Sequence, residues 1–327
     1  MKNDNIIISK TPLRVSFVGG GTDMPYFYKK NIGNTISCAI DKYIYVTVKY
    51  HNNYNEKYRL NYSQTESVNK INDIKNYRIK NVLKYLNINK PIYINTFADI
   101  PAQNGLGSSS AFTVGLINAL SRLKKIKYNR KQIAELAFKI ESKITNNSIG
   151  KQDHYIASFG GFRHITYSSK EIKIKKLDQS KKILNYISNS VLVWSNTTRL
   201  AEKVLKDQKN NKNKNVHNLK KLNMLTYKFL SQLKKTQQDN IKLFKIIKES
   251  WIIKKKLSKQ ITNRKIEKLF HNLEKNNIYP GKILGAGNGG FILTYLNKPI
   301  KSRSLKYLKK YKYFKFNIEN NGSEIIS

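Results

Sequence analysis

The chain is short of cysteine, of acid and of long apolar runs, and each shortage removes a class of protein. Cys38 is the single cysteine in 327 residues. That excludes an intramolecular disulfide and a cysteine-cluster metal site, and it suits a reducing compartment. No run of 18 apolar residues occurs, so no helix is expected to span a bilayer. The opening stretch MKNDNIIISKTPLR has no apolar core long enough for a signal peptide, and the expected location is cytoplasmic. The 5 histidines form no HxxxH pair, so a zinc motif is missing too. Acid is scarce relative to base, with 20 Asp+Glu against 62 Lys+Arg and a net charge of +42.

Such a charge would ordinarily suggest nucleic acid or an anionic membrane surface. Here the excess is spread along the whole chain and is mostly lysine. It travels with Asn, Ile and Tyr, as in KNNKNKNVHNLKK. These four residue types share A/T-rich codons, so biased base composition accounts for the charge without a specific nucleic-acid partner. The same bias makes the resistant residues informative, chiefly Gly, Pro, Ser and Asp in tight clusters.

At this length one large or two medium domains can bury a sizeable core. Residues 6–10 and 13–18 read as short strands that lead into Gly19, Gly20 and Gly21. Residues 36–50 alternate β-branched or aromatic residues with polar ones, and residues 91–98 look like a further strand. Phe112, Leu116, Ala119, Leu120 and Leu123 fall on one helical face. Ile133, Leu136, Ala137, Ile140 and Ile144 do the same over 130–145. A strand at 191–195 opens a second unit. The Lys/Asn-rich stretch 206–218 reads as an exposed loop or connecting segment, and 219–276 as helical. Short strands at 282–284 and 291–296 flank a glycine cluster. Strands and helices mixed in both halves predict an α+β fold.

Three clusters carry chemistry. In DIPAQNGLGSSSAF, Asp99 to Phe112, a strand ends, a glycine-rich loop turns and a helix begins at the serines. Unpaired N–H groups at a helix start hold phosphate, and Gly105 and Gly107 let the backbone approach a bulky anion. Ser108, Ser109 and Ser110 add hydroxyls. One helix cap needs one serine, not three behind two glycines. No GxxxxGK[ST] occurs, so this is not a Walker A loop. The second cluster is GKILGAGNGGFIL, Gly281 to Leu293. Its Gly285, Gly287 and Gly290 satisfy GxGxxG formally, but strand-like residues follow where a dinucleotide fold needs a helix. The third is TPLRVSFVGGGTDMP, Thr11 to Pro25, whose charged members are Arg14 and Asp23. Among the few carboxylates, Glu141 lies at the edge of an apolar helix stripe. Asp153 sits in SIGKQDHYIASFGGF, where it reads as a general base or a helix N-terminal residue.

These clusters, in this order, resemble the GHMP kinases. Pro101 to Ser110, PxxxGLGSSS, is similar to that family's phosphate loop. RVSFVGGGTDMPYFY, AIDKYIYVTV, GKQDHYIASFGGF, ESWIIKKKLS, KILGAGNGGF and the C-terminal FKFNIENNGSEII resemble its D-glycero-D-manno-heptose 7-phosphate kinase branch over nearly the whole chain. The resemblance implies a two-lobed α+β fold with the active site in the cleft between lobes. It divides the chain into an ATP-binding domain at 1–180 and a C-terminal domain at 181–327. ATP and Mg²⁺ are the implied cofactors, and the implied partners are small molecules only. No membrane is implied, and the assembly would be a monomer or homodimer.

Residue by residue, the resemblance gives Pro101, Gly105, Leu106, Gly107, Ser108, Ser109 and Ser110 to the ATP phosphates, and Ser109 with Glu141 to Mg²⁺. Asp153 takes the place of the catalytic aspartate, assisted by Arg14 where several relatives have lysine. Asp23, Thr22, Gly21, Lys151, Gly287 and Gly289 fall to the sugar, and Arg199 and Lys255 to its phosphate. Asn288 stands where a fourth glycine is common, His154 replaces a frequent glutamine, and Ser195 with Asn196 replaces a glycine-containing turn. The implied reaction phosphorylates the anomeric hydroxyl of a heptose 7-phosphate for surface polysaccharide synthesis. A related kinase acting on fucose or an N-acetylhexosamine is the alternative, and a basic nucleic-acid-binding protein on the same scaffold the third.

The compositional account of the charge makes a prediction. Retention on DNA or RNA columns is expected to be sequence-independent and to fall steeply with added salt. Sequence-selective binding that survives physiological salt would overturn it.

Overall fold

The computed structural model describes residues 6–52, 55–197, 201–235, 240–296 and 302–327. In chain order the elements begin with β1 (Ile7–Val18), α1 (Pro25–Tyr28), β2 (Gly33–Tyr50), β3 (Tyr58–Asn61), β4 (Thr65–Val68), α2 (Tyr77–Tyr85) and β5 (Ile92–Ala98). Then come α3 (Ser108–Leu123), α4 (Arg130–Ile144), α5 (Gln152–Phe159), β6 (Phe162–Tyr167), β7 (Ile172–Lys176), α6 (Lys181–Ser188) and β8 (Ser190–Trp194). The rest are α7 (Ala201–Asn210), α8 (Lys212–Lys234), α9 (Asn240–Lys255), α10 (Arg264–Lys275), β9 (Tyr279–Ile283), β10 (Phe291–Tyr295), α11 (Ser302–Leu308), β11 (Tyr313–Phe314) and β12 (Glu324–Ile325).

The architecture is α+β, as the element pattern predicts, and it is built on two sheets. The larger runs β12-β1-β2-β5-β3-β4, with β6 on β2 and β7 on β6. The long β2 serves both branches: its first half pairs with β6 and its second half with β5. The smaller sheet runs β11-β8-β10-β9, antiparallel throughout. Seven of the first sheet's eight strands come from residues 7–176. The tail then returns: β12 pairs with β1, and Ile318 bridges Ile40. Ser323 N donates to Ala157 O at 2.8 Å, so the tail is also sewn to α5.

Two readings of the sequence change. The strands expected at 6–10 and 13–18 are one strand, β1, with a register shift between Pro12 and Leu13. Proline cannot donate to a ladder, so it sits where the pairing is already irregular. The stretch 206–218 is helical rather than a loop. Its polar composition misleads because some of its amides are buried: Asn215 Nδ2 donates to Gln208 O and, at 2.9 Å, to Leu257 O.

Phe17 on β1 joins the two halves of the core. Its ring stacks on Phe229 of α8 at 5.9 Å and meets Phe162 of β6 and Tyr186 of α6 edge-on. α3 is seated on the same strand, where Ser9 Oγ donates to Gly115 O at 2.8 Å. The sheet, the phosphate loop that begins α3 and the C-terminal helices therefore share one support. Phe229→Ala is expected to cost about 3–5 kcal/mol, the range for a buried aromatic. Denaturant unfolding measures it; a cost below about 1 kcal/mol would show that the ring is not a core member.

Candidate active site

The site grows from the end of β5. The chain turns through 99–107 and enters α3 at Ser108. Gly107 takes the N-cap position in the left-handed region, with φ 78°. A Cβ there would lie 3.2 Å from Arg14 Cγ and 3.3 Å from Asp153 Oδ2, so only glycine lets the loop press onto both side chains. No side chain caps the helix and its first turn carries no acid. The first backbone bond of α3 is Ala111 N to Gly107 O. The amides of Ser108, Ser109 and Ser110 precede it and face the positive end of the helix dipole.

Arg14 and Asp153 meet as a fork. Arg14 Nε donates to Asp153 Oδ1 at 2.7 Å, and Nη2 to Oδ2 at 2.6 Å. The third guanidinium nitrogen, Nη1, donates to Gly105 O at 2.5 Å. Asp153 lies in the first turn of α5, and Gln152 Nε2 also donates to its Oδ1, at 3.2 Å. Burial pushes the Asp153 carboxyl up, but Arg14 and then His154 outweigh it and hold it below its ordinary value. Asp153 is therefore ionised at neutral pH. A carboxylate oxygen accepts about two hydrogen bonds. Oδ1 is filled, and Oδ2 keeps one open position toward the cleft.

Asp23 is oriented differently. Its oxygens accept from Gly21 N and Gln152 N, both at 3.0 Å. A Cβ on Gly150 would fall 1.9 Å from Asp23 Oδ2, so this seat requires glycine at 150. Burial raises the Asp23 pKa above its ordinary value, and Asp153 adds to the rise.

Glu141 is not at a helix rim but buried, at 3% exposure. Its Oε1 accepts from Arg78 Nε at 2.6 Å and Thr113 Oγ1 at 3.0 Å. Its Oε2 meets Ser110 Oγ at 3.0 Å and His154 Nε2 at 2.8 Å. Burial alone would raise its pKa; Arg78 and His154 together drive it well below the carboxylate range. Four partners fill its four acceptor positions. The expected magnesium pair of Ser109 with Glu141 does not fit this arrangement: Ser110, not Ser109, is the bonded serine, and an arginine holds the place a cation would take.

One cleft of about 390 Å³ gathers these groups. Arg14, Gly21, Asp23, Gly105, Gly107, Ser108, Ser109, Ser110, Glu141 and Asp153, all named from the sequence, line it. Other expected residues lie elsewhere. Lys151 Nζ turns to Glu135 at 2.6 Å. Lys255 Nζ pairs with Glu267 at 3.0 Å on the outer side of α9. Thr22 Oγ1 is consumed by Gly19 O and Asn34 O. Gly287 packs on the Ile261 backbone and Gly289 on Thr197 O, whereas Gly285 and Ala286 reach the cleft. Leu106 is a core side chain whose carbonyl accepts from Arg14 N, and Pro101 is exposed at the loop's outer turn. Arg199 lies outside the described residues. Asn288 and Asn196 adopt φ 58° and 53°, the left-handed conformation that glycine takes at such turns.

Sequence reasoning missed Arg78, Lys254 and Lys282. All three line the cleft. In a chain so rich in lysine no composition signal marks them. The one available sign was Lys282, a charge set between apolar residues in a short strand just before the glycine cluster.

Helix-start amides beside an arginine-held carboxylate can bind a polyphosphate and accept a hydroxyl proton. That is the equipment of a phosphotransferase, and residues 75–161 match the GHMP kinases N terminal domain. The match covers that stretch of the chain, and the fold as a whole resembles that of GHMP kinases. Among named relatives, it is 29% identical to the D-glycero-alpha-D-manno-heptose 7-phosphate kinase of Campylobacter jejuni, over 93% of each chain. It is 24% identical to the mevalonate kinase of Saccharolobus solfataricus, over 65% of this chain and 64% of that one. In structure it resembles a D-glycero-D-manno-heptose 1-phosphate kinase from Bacteroides thetaiotaomicron, with a TM-score of 0.78 at 21% identity, covering 98% of this chain and 99% of that one.

Glu141→Gln is expected to destabilise the fold by about 3 kcal/mol at neutral pH. That is the low end for breaking a buried pair, since Arg78 is 26% exposed. The sign with pH follows from the depressed pKa: the stabilisation is present above the unfolded glutamate range and is lost as pH falls through the folded value. The melting-temperature gap between wild type and variant should therefore shrink in acid. A gap that is small at neutral pH would overturn the buried-network assignment.

Proposed function

We propose that the protein is an ATP-dependent sugar kinase that phosphorylates the anomeric hydroxyl of a D-glycero-D-manno-heptose 7-phosphate. The product would feed nucleotide-activated heptose synthesis for surface polysaccharide. The observation that carries the reading is the Arg14–Asp153 fork beside the amides of Ser108 to Ser110. The Campylobacter jejuni relative, matched along nearly its whole length, supports the choice of acceptor.

The steps follow from the groups in place. The ATP phosphates lie against the start of α3, held by backbone N–H groups and the serine hydroxyls. Magnesium enters as part of the Mg–ATP substrate rather than at a resident site on Glu141. The anomeric hydroxyl donates to the open position on Asp153 Oδ2. As its oxygen attacks the γ-phosphorus, the proton passes to Asp153 and the bond to the β–γ bridging oxygen breaks, releasing ADP. Arg14 stays charged throughout and holds the carboxylate in line, since guanidinium does not deprotonate in this range. A carboxylate with a depressed pKa is a weak base. Its contribution is placement and charge more than proton affinity, which suits a loose phosphoryl-transfer transition state.

Asp153→Asn keeps the shape but loses the charge and one acceptor. We expect kcat to fall about 10²–10⁴-fold with ATP affinity little changed. A folded variant with near-normal kcat would remove Asp153 from the chemistry. The acceptor is decided by a coupled assay across heptose 7-phosphate, fucose, mannose, galactose and N-acetylhexosamines. Preference for any unphosphorylated sugar would overturn the heptose 7-phosphate reading.

A further inference from the structure

Two lysines converge on the cleft from its C-terminal side. Lys282, on β9, is 3% exposed, and its Nζ makes one hydrogen bond among the described residues, to Phe17 O at 3.2 Å. An ammonium group has three donors, so two are left. Lys254, at the end of α9, is 8% exposed and donates to Gly285 O. Burial, then the nearby charges of Lys254 and Arg14, pushes the Lys282 pKa well below the ordinary lysine value. Three of the carboxylates that line the cleft are engaged, and the fourth, Glu202, is exposed. Asp153 is taken by Arg14, Glu141 by Arg78, and Asp23 is turned onto the Gly21 and Gln152 amides. A cation this deeply buried is costly unless an anion comes to it.

We propose that Lys282 and Lys254 form an anion subsite for the phosphate group that the acceptor already carries. This rests on the kinase reading above and specifies its acceptor as a sugar phosphate. For Lys282, position separates the acceptor's phosphate from the nucleotide's, whereas Lys254, bonded to Gly285 O, lies beside the Gly105 turn of the phosphate loop. The phosphate loop presses on Arg14, whereas Lys282 reaches β1 at Phe17, three residues and roughly 10 Å farther along the strand. That is toward Gly20, Gly21 and Asp23, which line the same cleft. A sugar with its anomeric hydroxyl on Asp153 would extend its far end in this direction. The two lysines thus replace Lys255, which is engaged with Glu267 on the outer face.

The test uses inorganic phosphate as the probe, with ADP at saturation so that the nucleotide site is filled. Wild-type protein should melt at higher temperature as phosphate is added. Lys282→Met should melt higher than wild type without phosphate, because a costly buried charge is gone, and should lose the phosphate response. A lysine with a merely structural role would give the opposite first result. Lys254→Gln should lose most of the response and carries the test if Lys282→Met does not fold. With heptose 7-phosphate as acceptor, each variant should raise KM about tenfold or more, the scale of one charge-assisted contact. Lys255→Met, outside the cleft, should match wild type in both assays.

A phosphate response that persists in both cleft variants overturns the subsite. So does a wild-type response abolished by ADP, which would assign the anion to the nucleotide's place. If heptose 7-phosphate is turned over with KM unchanged in both variants, the subsite falls and the kinase reading stands. If wild type does not use heptose 7-phosphate but the variants lose the phosphate response, the acceptor reading falls and the subsite stands.

Discussion

The fork between Arg14 and Asp153 fixes the relative positions of three parts of the chain. Arg14 belongs to β1, Asp153 to α5, and the remaining arginine nitrogen holds Gly105 of the phosphate loop. The backbone repeats the link, since Arg14 N donates to Leu106 O at 3.0 Å. A planar guanidinium can make these bonds at once because its five donors lie in a rigid plane; a lysine ammonium could not hold the same carboxylate in one orientation. A buried ion pair is weak support for stability, since desolvation consumes most of the attraction. What the pair supplies here is geometry: the open lone pair of Oδ2 is aimed at one place before any substrate arrives.

Three of the four carboxylates that line the cleft differ in environment rather than in type. Asp153 has Arg14 and Gln152 as partners and one open acceptor position. Glu141 has four partners and none open. Asp23 accepts backbone amides alone and has its pKa raised by burial. Asp153 and Asp23 both keep open acceptor positions, so the guanidinium fork is what sets Asp153 apart. Saturation makes Glu141 a fastener instead, tying α2 through Arg78, α3 through Ser110 and Thr113, and α5 through His154. The helix that carries Asp153 is thus held from both ends, by Glu141 on one side and by the returning tail through Ala157 on the other.

Much of this was legible in the sequence, and the reasons differ by element. The phosphate loop stood out because glycines and serines resist the lysine and asparagine bias. The helices over 112–123 and 130–144 were visible because their apolar stripes have a clear period. Residues placed by the local backbone, such as Gly107 and Asp153, line the cleft. Two that depend on which way a side chain turns do not. Lys151 and Lys255 sit one residue from the cleft-lining Gln152 and Lys254. On a helix, adjacent residues point about 100° apart, so one position separates the cleft from the outer face. The buried amides of α7 and α8 were missed for a related reason: asparagine reads as loop until the carbonyls it caps are known.

The large net charge and the cleft are separate matters electrostatically. Surface charges are screened beyond about 8–10 Å at physiological salt, so the spread-out lysines act on substrates mainly as a weak general attraction. Groups inside the cleft are desolvated, and there each charge counts for more. Arg14 and Arg78 are each bonded to a carboxylate. The buried Lys282 is bonded instead to a backbone carbonyl, that of Phe17. A chain that drifted to lysine over its surface gains or loses little at any one of those positions. Lys282, between Gly281 and Ile283 in a buried strand, is under the opposite constraint, because burying an ammonium is costly. That cost is the physical reason to place an anionic group at that end of the cleft.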